Sequence, residues 1–412
     1  RGHMLVRLRN PDRTVEVTGP TTVAAMLAEL GINPETVLVI DGDELVTARA
    51  TLAEDAQIEI RPVISGGAGG GGRCAHCEGG QAVIDLPRHR SRYCGPCFID
   101  HVRTQVRHAI DGYGMFGYDD DILVAVSGGK DSLALWDILL DMGYKASGLY
   151  LGLGIGGYSN RSHDMVAAFA ARRGAKLHVE DLADDYGFDI PDSVRHPRRG
   201  DRRKKNGIGR SACGTCGLSK RYVFNKVALQ QGYDVMATGH NLDDEASQLL
   251  GNVLRWQTSF MARQSPFLPG RAEMSRKVKP LYRLTEREMA AYCVIKGLDY
   301  VVEECPLVEG NTVLRYKDAL NDLERAAPGT KAHFLFGYLD RVRDEHFSAA
   351  DHSGGTLVPC ADCGLPTTAH EEGQTPVCAF CRTRGRLLTL IDRDAQRDAE
   401  RAARRDAERA GA

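Results

Sequence analysis

Through residues 4–65 the apolar positions fall in short strand-like runs: Leu5-Val-Arg-Leu8, Val15-Glu-Val17, Val37-Leu-Val-Ile40 and Ile58-Glu-Ile60. One helical stretch, Val23-Ala-Ala-Met-Leu27, lies between the second and third, with Thr21 or Thr22 placed to cap it. The order is ββαββ. The pattern changes at Gly66–Gly72, a glycine-rich tether that suits a flexible coil. From residue 118 to 350 apolar runs alternate with helical stretches, as in an open parallel sheet. The strand candidates there are Ile122–Val126, Lys145–Leu151, Lys176–Glu180 and Asp234–Thr238, with a further run at Tyr300–Val302. The expected fold is α/β, a doubly wound parallel sheet.

The organisation predicted is a small unit at 4–67, a linker at 68–72, and a cysteine-bearing module with a helix at 73–117. A main domain at 118–350, a second cysteine module at 357–385 and a charged helical tail at 386–412 follow. The 412 residues carry a net charge of −2, so any nucleic-acid contact must come from a local patch. No stretch approaches a membrane span and no export signal is visible. A cytoplasmic chain is expected, and twelve cysteines then point to metal or thiol chemistry rather than disulfides.

The most informative stretch is Ser127-Gly128-Gly129-Lys130-Asp131-Ser132, set between a strand run and the helical Leu133–Leu140. Gly128 and Gly129 permit a tight turn. Free amides of the turn and the helix N-terminus then face an anion. Lys130 adds a cation, and Ser127 and Ser132 add donors. The ligand expected is a polyphosphate, although the spacing is not that of a Walker loop.

The cysteines form three groups. Cys74-x2-Cys77 with Cys94-x2-Cys97, and Cys360-x2-Cys363 with Cys378-x2-Cys381, each supply four soft thiolates. Each set suits a closed tetrahedral Zn²⁺ site, with rubredoxin-like iron as the alternative. Of the remaining four, Cys293 lies in an apolar helical stretch and reads as a packed thiol. Cys213 and Cys216 open a helical pattern, whose N-terminus should lower their pKa. With Cys305 in a loop they make a three-thiolate candidate. Three such ligands can hold a [4Fe–4S] cluster and leave one iron open. Persulfide chemistry without a cluster, or unrelated structural thiols, are the alternatives.

The hexapeptide resembles the PP-loop of the ATP pyrophosphatase superfamily, which cuts ATP between its α and β phosphates. Together with Cys213-Gly-Thr-Cys-Gly-Leu-Ser-Lys220-Arg-Tyr222, Ala237–Ala246 and Glu304-Cys305-Pro306, it is similar to the TtuA-type tRNA 2-thiouridine synthetases. That resemblance implies the cluster on Cys213, Cys216 and Cys305. It implies catalytic roles for Lys220 and Asp244. It places ATP on residues 127–132, Tyr150 and Thr238-Gly239-His240. The first unit, through its shape and its Leu52–Ile60 stretch, resembles the ThiS/MoaD/TtuB sulfur carriers of the β-grasp, ubiquitin-like class. Members carry sulfur as a thiocarboxylate on a terminal diglycine. Here the diglycine, Gly66-Gly67, is internal, so it must be cut free or the unit only docks. The partners implied are tRNA, a ubiquitin-activating-enzyme-like adenylyltransferase, a cysteine desulfurase and a protease acting after Gly67. A homodimer is also expected.

The chemistry follows from the substrate. Uracil C2 is a poor electrophile because its oxygen leaves badly, so that oxygen is first adenylated with loss of pyrophosphate, charge being met by the PP-loop and Mg²⁺. Sulfur, as a cluster-bound sulfide, then displaces AMP. Asp244 is a metal ligand or base, or simply part of an acidic helix start with Asp243 and Glu245. Lys220 stabilises phosphate or incoming sulfur. The basic run Arg195, Arg198, Arg199, Arg202, Arg203, Lys204, Lys205 and Arg210 is the candidate phosphate footprint for tRNA. The competing readings are the same chemistry on a small molecule, and a zinc-ribbon RNA adaptor without catalysis.

Overall fold

A computed structural model of the chain describes residues 3–9, 12–32, 37–47, 50–62, 72–77, 79–195, 210–271, 274–308, 312–347, 356–368 and 375–410. Gly66, Gly67, Arg198, Arg199, Arg202, Arg203, Lys204 and Lys205 lie outside the described residues.

The first unit has strands β1 (His3–Arg9) and β2 (Asp12–Thr18), helix α1 (Val23–Glu29), and strands β3 (Val37–Asp41), β4 (Glu44–Val46) and β5 (Gln57–Pro62). Its mixed sheet runs β2-β1-β5-β3-β4, with β1 and β5 parallel. Thr22 caps α1, accepting from the Ala25 amide at 3.2 Å. Val23, Met26 and Leu27 of the helix share a core with Val6, Ile58 and Ile60 of the sheet.

A hairpin of Ile84–Leu86 with Ser91–Tyr93 then leads into α2 (Gly95–Tyr113). The main domain follows as β6 (Asp121–Val126), α3 (Lys130–Asp141), β7 (Lys145–Gly152), α4 (Gly156–Arg173) and β8 (Leu177–Asp181). It continues with α5 (Ala212–Gln230), β9 (Val235–Thr238), α6 (Leu242–Leu254), α7 (Thr258–Arg263), β10 (Phe267–Leu268) and β11 (Arg276–Val278). Helices α8 (Glu286–Lys296), α9 (Thr312–Ala326) and α10 (Thr330–Gly337) pack beside it. The strand order is β8-β7-β6-β9-β11-β10, parallel throughout except for the edge strand β10. From β6 the chain builds outward to β8 and then returns to the other side of β6 as β9. Ligands of open α/β sheets sit beyond the strand ends at such a reversal. Here those ends carry Ser127 and Thr238.

The strand expected at Tyr300–Val302 does not form. The Val301 amide instead donates to the Gly128 carbonyl at 2.9 Å, so this segment braces the glycine turn rather than extending a sheet. The C-terminal hairpin, Leu357–Pro359 with Pro366–Thr368, precedes α11 (Ala379–Ala410). Phe380 of α11 stacks on Tyr222 of α5 at 3.8 Å. Among the described residues no helix is long and apolar enough to cross a membrane.

Apolar packing and arginine contacts fix the first unit and the first cysteine module to the main domain. In β3, Val37 and Val39 point into the unit's own core. Leu38 and Ile40, with Leu45 of β4, join the main core on the side of α8. Arg61 of β5 lies 5.9 Å over the Tyr300 ring. In the cysteine module, Arg88 reaches the buried Glu288 of α8 at 2.8 Å and the Arg283 carbonyl at 2.9 Å. Glu288 also closes the capping box of α8 with Thr285. Burial opposes its charge, but Arg88, His101 and the Thr285 amide hold it far below the usual carboxylate range.

Removing one partner of a buried pair strands the other. Glu288→Ala should therefore lose about 3 kcal/mol or more of stability in chemical denaturation. Because the folded carboxyl is depressed, its contribution is complete above its ordinary value of 4.5 and falls away in more acid solution. A variant within about 0.5 kcal/mol of the parent, the range of ordinary surface changes, would show that the clamp contributes nothing.

Candidate active site

The turn after β6 is built for close backbone approach. Gly128 has φ +79°, and a Cβ there would lie 2.8 Å from the Ser162 carbonyl oxygen. Gly129 caps α3 with no side chain in the way. The Ser127 amide donates to Ser132 Oγ at 3.1 Å, and that hydroxyl donates to the Gly129 carbonyl at 2.9 Å. Opposite, Gly239 leaves β9 so close to α3 that a Cβ would sit 2.9 Å from both Asp131 C and Ser132 N.

These pieces line one cavity of about 600 Å³. Ser127, Gly129, Asp131, Ser132, Tyr150, Thr238, Gly239, His240 and Asp244 face it, and so do Cys213, Cys216, Lys220 and Cys305. Cys213, Cys216 and Lys220 share one face of α5, at helical spacing. Ser211 caps that helix by accepting from the Gly214 amide at 3.1 Å. The Cys213 thiol lies 3.9 Å from the Leu307 carbonyl, which ties the α5 turn to the Cys305 loop. Contrary to the expectation from its helix N-terminus, the Cys213 pKa is raised. Partial desolvation against the cavity wall is the first cause, although the residue is exposed overall, and the neighbouring Cys216 and Cys305 add to it.

Of the loop residues, Gly128 is covered by the Ser162 backbone and Lys130 turns away from the cavity. Its Nζ pairs with Glu286 at 2.6 Å and with Asp131 at 3.2 Å. Glu286 continues to Lys317 at 3.2 Å, and Lys317 to Asp244 at 2.7 Å. Burial opposes the Lys130 charge, yet the carboxylates of Asp131 and Glu286 raise its pKa well above the ordinary value. Burial pushes Asp131 up to about 6, even with Lys130 beside it. Burial would do the same to Asp244, but Lys317 and His240 bring it down to about 2. Asp244 is therefore ionised at neutral pH. Its other oxygen accepts from the Asn241 amide at 3.2 Å, closing the α6 capping box. His240 pairs with Thr238 Oγ1 at 2.8 Å and is lowered by burial and Lys279. Tyr150 donates to the Ser159 carbonyl at 2.8 Å, and burial pushes it up to about 12.

Glu286 and Lys317 were not visible as site residues. Glu286 stands inside an ordinary capping sequence, and Lys317 is one charge of an amphipathic helix. Arg195 is exposed beside Asp192, and Arg210 precedes the α5 cap. Cys293 is fully buried in α8.

Cys74, Cys77, Cys94 and Cys97 converge with their sulfurs within 4.8 Å of one another, as do Cys360, Cys363, Cys378 and Cys381. Four thiols at that separation fit one tetrahedral ion. The cavity triad is not drawn together to that distance among the described groups. Three thiols around one cavity, not drawn close enough for a single tetrahedral ion, are a donor set that an iron–sulfur cluster can use. His89, His101 and Glu288 also converge, but Arg88 already occupies the carboxylate, so a cation there would meet a guanidinium.

A PP-loop domain family matches residues 100–307. The chain is 43% identical over 309 residues to the tRNA-5-methyluridine(54) 2-sulfurtransferase of Thermus thermophilus, covering 75% of this chain and 90% of that one. It is 37% identical over 314 residues to the protein of the same name from Pyrococcus horikoshii, covering 76% and 94%. In fold it is similar to the U34-tRNA thiolase NcsA from Methanococcus maripaludis, a structure solved with its [4Fe-4S] cluster. The TM-score is 0.61 at 23% identity, over 76% of this chain and 96% of that one.

Gly239→Ala should weaken ATP binding at least tenfold, on the order of 1.4 kcal/mol. The added Cβ meets the α3 backbone, so the melting temperature should fall as well. Unchanged ATP affinity would show that the contact of β9 with α3 does not shape the phosphate site.

Proposed function

The chain belongs to the PP-loop tRNA 2-sulfurtransferases, and from that premise we propose that it replaces the C2 oxygen of a tRNA uridine by sulfur at the cost of ATP. Three relatives are named for 5-methyluridine 54, which makes that nucleoside the favoured target. The observation that carries the reading is the single cavity. It puts a phosphate-binding turn and three thiols around the same space. An activated carbonyl carbon and a sulfur source must meet within bonding distance, and separate pockets would forbid that.

The residues divide the work. Amides of Gly128, Gly129 and the first turn of α3, with the Ser127 hydroxyl, hold the polyphosphate, while Ser132 braces the turn through the Ser127 amide and the Gly129 carbonyl. The uracil oxygen attacks the α-phosphate and pyrophosphate leaves. Asp244, kept ionised by Lys317, serves a divalent cation or the proton of the reacting base. Lys220 offers a cation on the thiol-bearing face of α5. Sulfide then adds to C2, and AMP leaves with the former uracil oxygen. When bound on Cys213, Cys216 and Cys305, a [4Fe–4S] cluster supplies an iron without a protein ligand, open to that sulfur. The two four-cysteine sets are read as structural zinc sites.

The first unit is read as a β-grasp sulfur carrier. Its sheet order, its parallel central pair and the helix across one face support this. Sulfur loading would then require cleavage after Gly67, and the adenylyltransferase and desulfurase partners follow from the same chemistry.

Anaerobic protein should hold about four irons on the triad beyond any zinc. Cys305→Ala should lose them and Cys293→Ala should keep them. Iron retained in full by Cys305→Ala would remove the cluster assignment. Transfer RNA from a strain lacking the gene should lack one 2-thiolated uridine, detected by nucleoside mass spectrometry. Unaltered tRNA would refute the function. Full thiolation by a Gly67 variant that resists cutting would remove the carrier role alone.

A further inference from the structure

Helix α6 begins at the cavity, with Asp244 in its first turn, and runs thirteen residues away from it, about 20 Å at the usual helical rise. At its far end stands Trp256, 77% exposed, with its backbone in the left-handed region at φ +50°. A bulky residue pays strain there and persists only when its surroundings hold it. The turn is held: the Trp256 amide donates to the Val253 carbonyl at 3.0 Å and the Gln257 amide to the Asn252 carbonyl at 2.9 Å. An indole is thus presented to solvent on a fixed support.

Beside it in the chain are further aromatic and guanidinium groups. Phe260 is 54% exposed, and Arg263 lies 5.3 Å over its ring. Arg255 lies 5.9 Å over Tyr316. Neither arginine is paired with a carboxylate among the described residues. From Ala246 to Ala272 the sequence has arginines at 255, 263 and 271 and no carboxylate. A two-fold contact with a second copy of this chain would set this carboxylate-free, arginine-bearing patch against itself, like charge to like. Aromatic faces flanked by guanidiniums that hold no carboxylate suit unpaired nucleotides, whose bases stack while their phosphates meet the arginines.

We propose that Trp256, with Phe260, Arg255 and Arg263, forms a stacking platform for an unpaired base of the bound RNA, at the opposite end of α6 from the reacting uridine. The proposal rests on tRNA being the substrate.

The full chain tests it directly, because it has two tryptophans and the other, Trp136, is fully buried. Acrylamide should quench Trp256 in the free protein, and a saturating tRNA transcript should remove that access. Trp256→Ala should weaken binding of labelled tRNA by about tenfold, the effect of losing one stacked base, while Trp256→Phe keeps most of the affinity. If tRNA binds the parent while Trp256 stays open to quencher, the platform is wrong and the substrate reading stands. If tRNA does not bind at all, both fall. If Trp256 is already shielded without RNA, in step with dimer seen by sedimentation, the surface belongs to a second copy and the proposal is overturned.

Discussion

Five side chains of alternating sign, Asp131, Lys130, Glu286, Lys317 and Asp244, run in contact from the phosphate turn to the start of α6. None could be withdrawn from water alone without a large cost in solvation. Linked, each charge faces opposite charges, and four helices are fixed relative to one another: α3, α8, α9 and α6. The cavity takes its shape from that arrangement. Asp244 is ionised because Lys317 is there, and Lys317 is there because Glu286 holds its other side. The same linkage keeps Lys130 out of the cavity, so an incoming polyphosphate meets backbone amides and hydroxyls first.

Much of this site was legible from sequence, for a physical reason. The glycine turn, the α5 thiols and the β9 turn are local devices, each written in consecutive residues. Gly128 and Gly239 are demanded by backbone approach, and Cys213, Cys216 and Lys220 by one helix face. Their meeting at a reversal of strand order follows from the alternating pattern. The charge relay was not legible. Glu286 and Lys317 lie far from the turn in sequence, and their local surroundings call for nothing beyond a helix cap and a solvated face. Tyr300–Val302 misled for a related reason. Its apolar pattern fits a strand, but the donor partner it found was Gly128. The raised Cys213 pKa is also tertiary. A helix N-terminus favours a thiolate, and partial desolvation beside two further thiols outweighs it.

The run Val37–Ile40 carried more information than its length suggested. A strand with one face in water alternates; this one is apolar on both. Its second face, Leu38 and Ile40, is the surface by which the first unit seats against α8, whose first residue is Glu286. The unit proposed to bring sulfur is thereby packed on the helix that anchors the charge relay.

The central claim is that activation and sulfur delivery act on the same carbon within one cavity. A tRNA transcript carrying oxygen-18 at uracil C2, turned over with ATP and sulfide by the anaerobic protein, tests it most directly. If the uracil oxygen attacks the α-phosphate and sulfur then displaces it, each AMP released during thiolation carries the label. Unlabelled AMP accompanying 2-thiouridine would mean that ATP was cut by water, and that the carbon was never activated in this cavity.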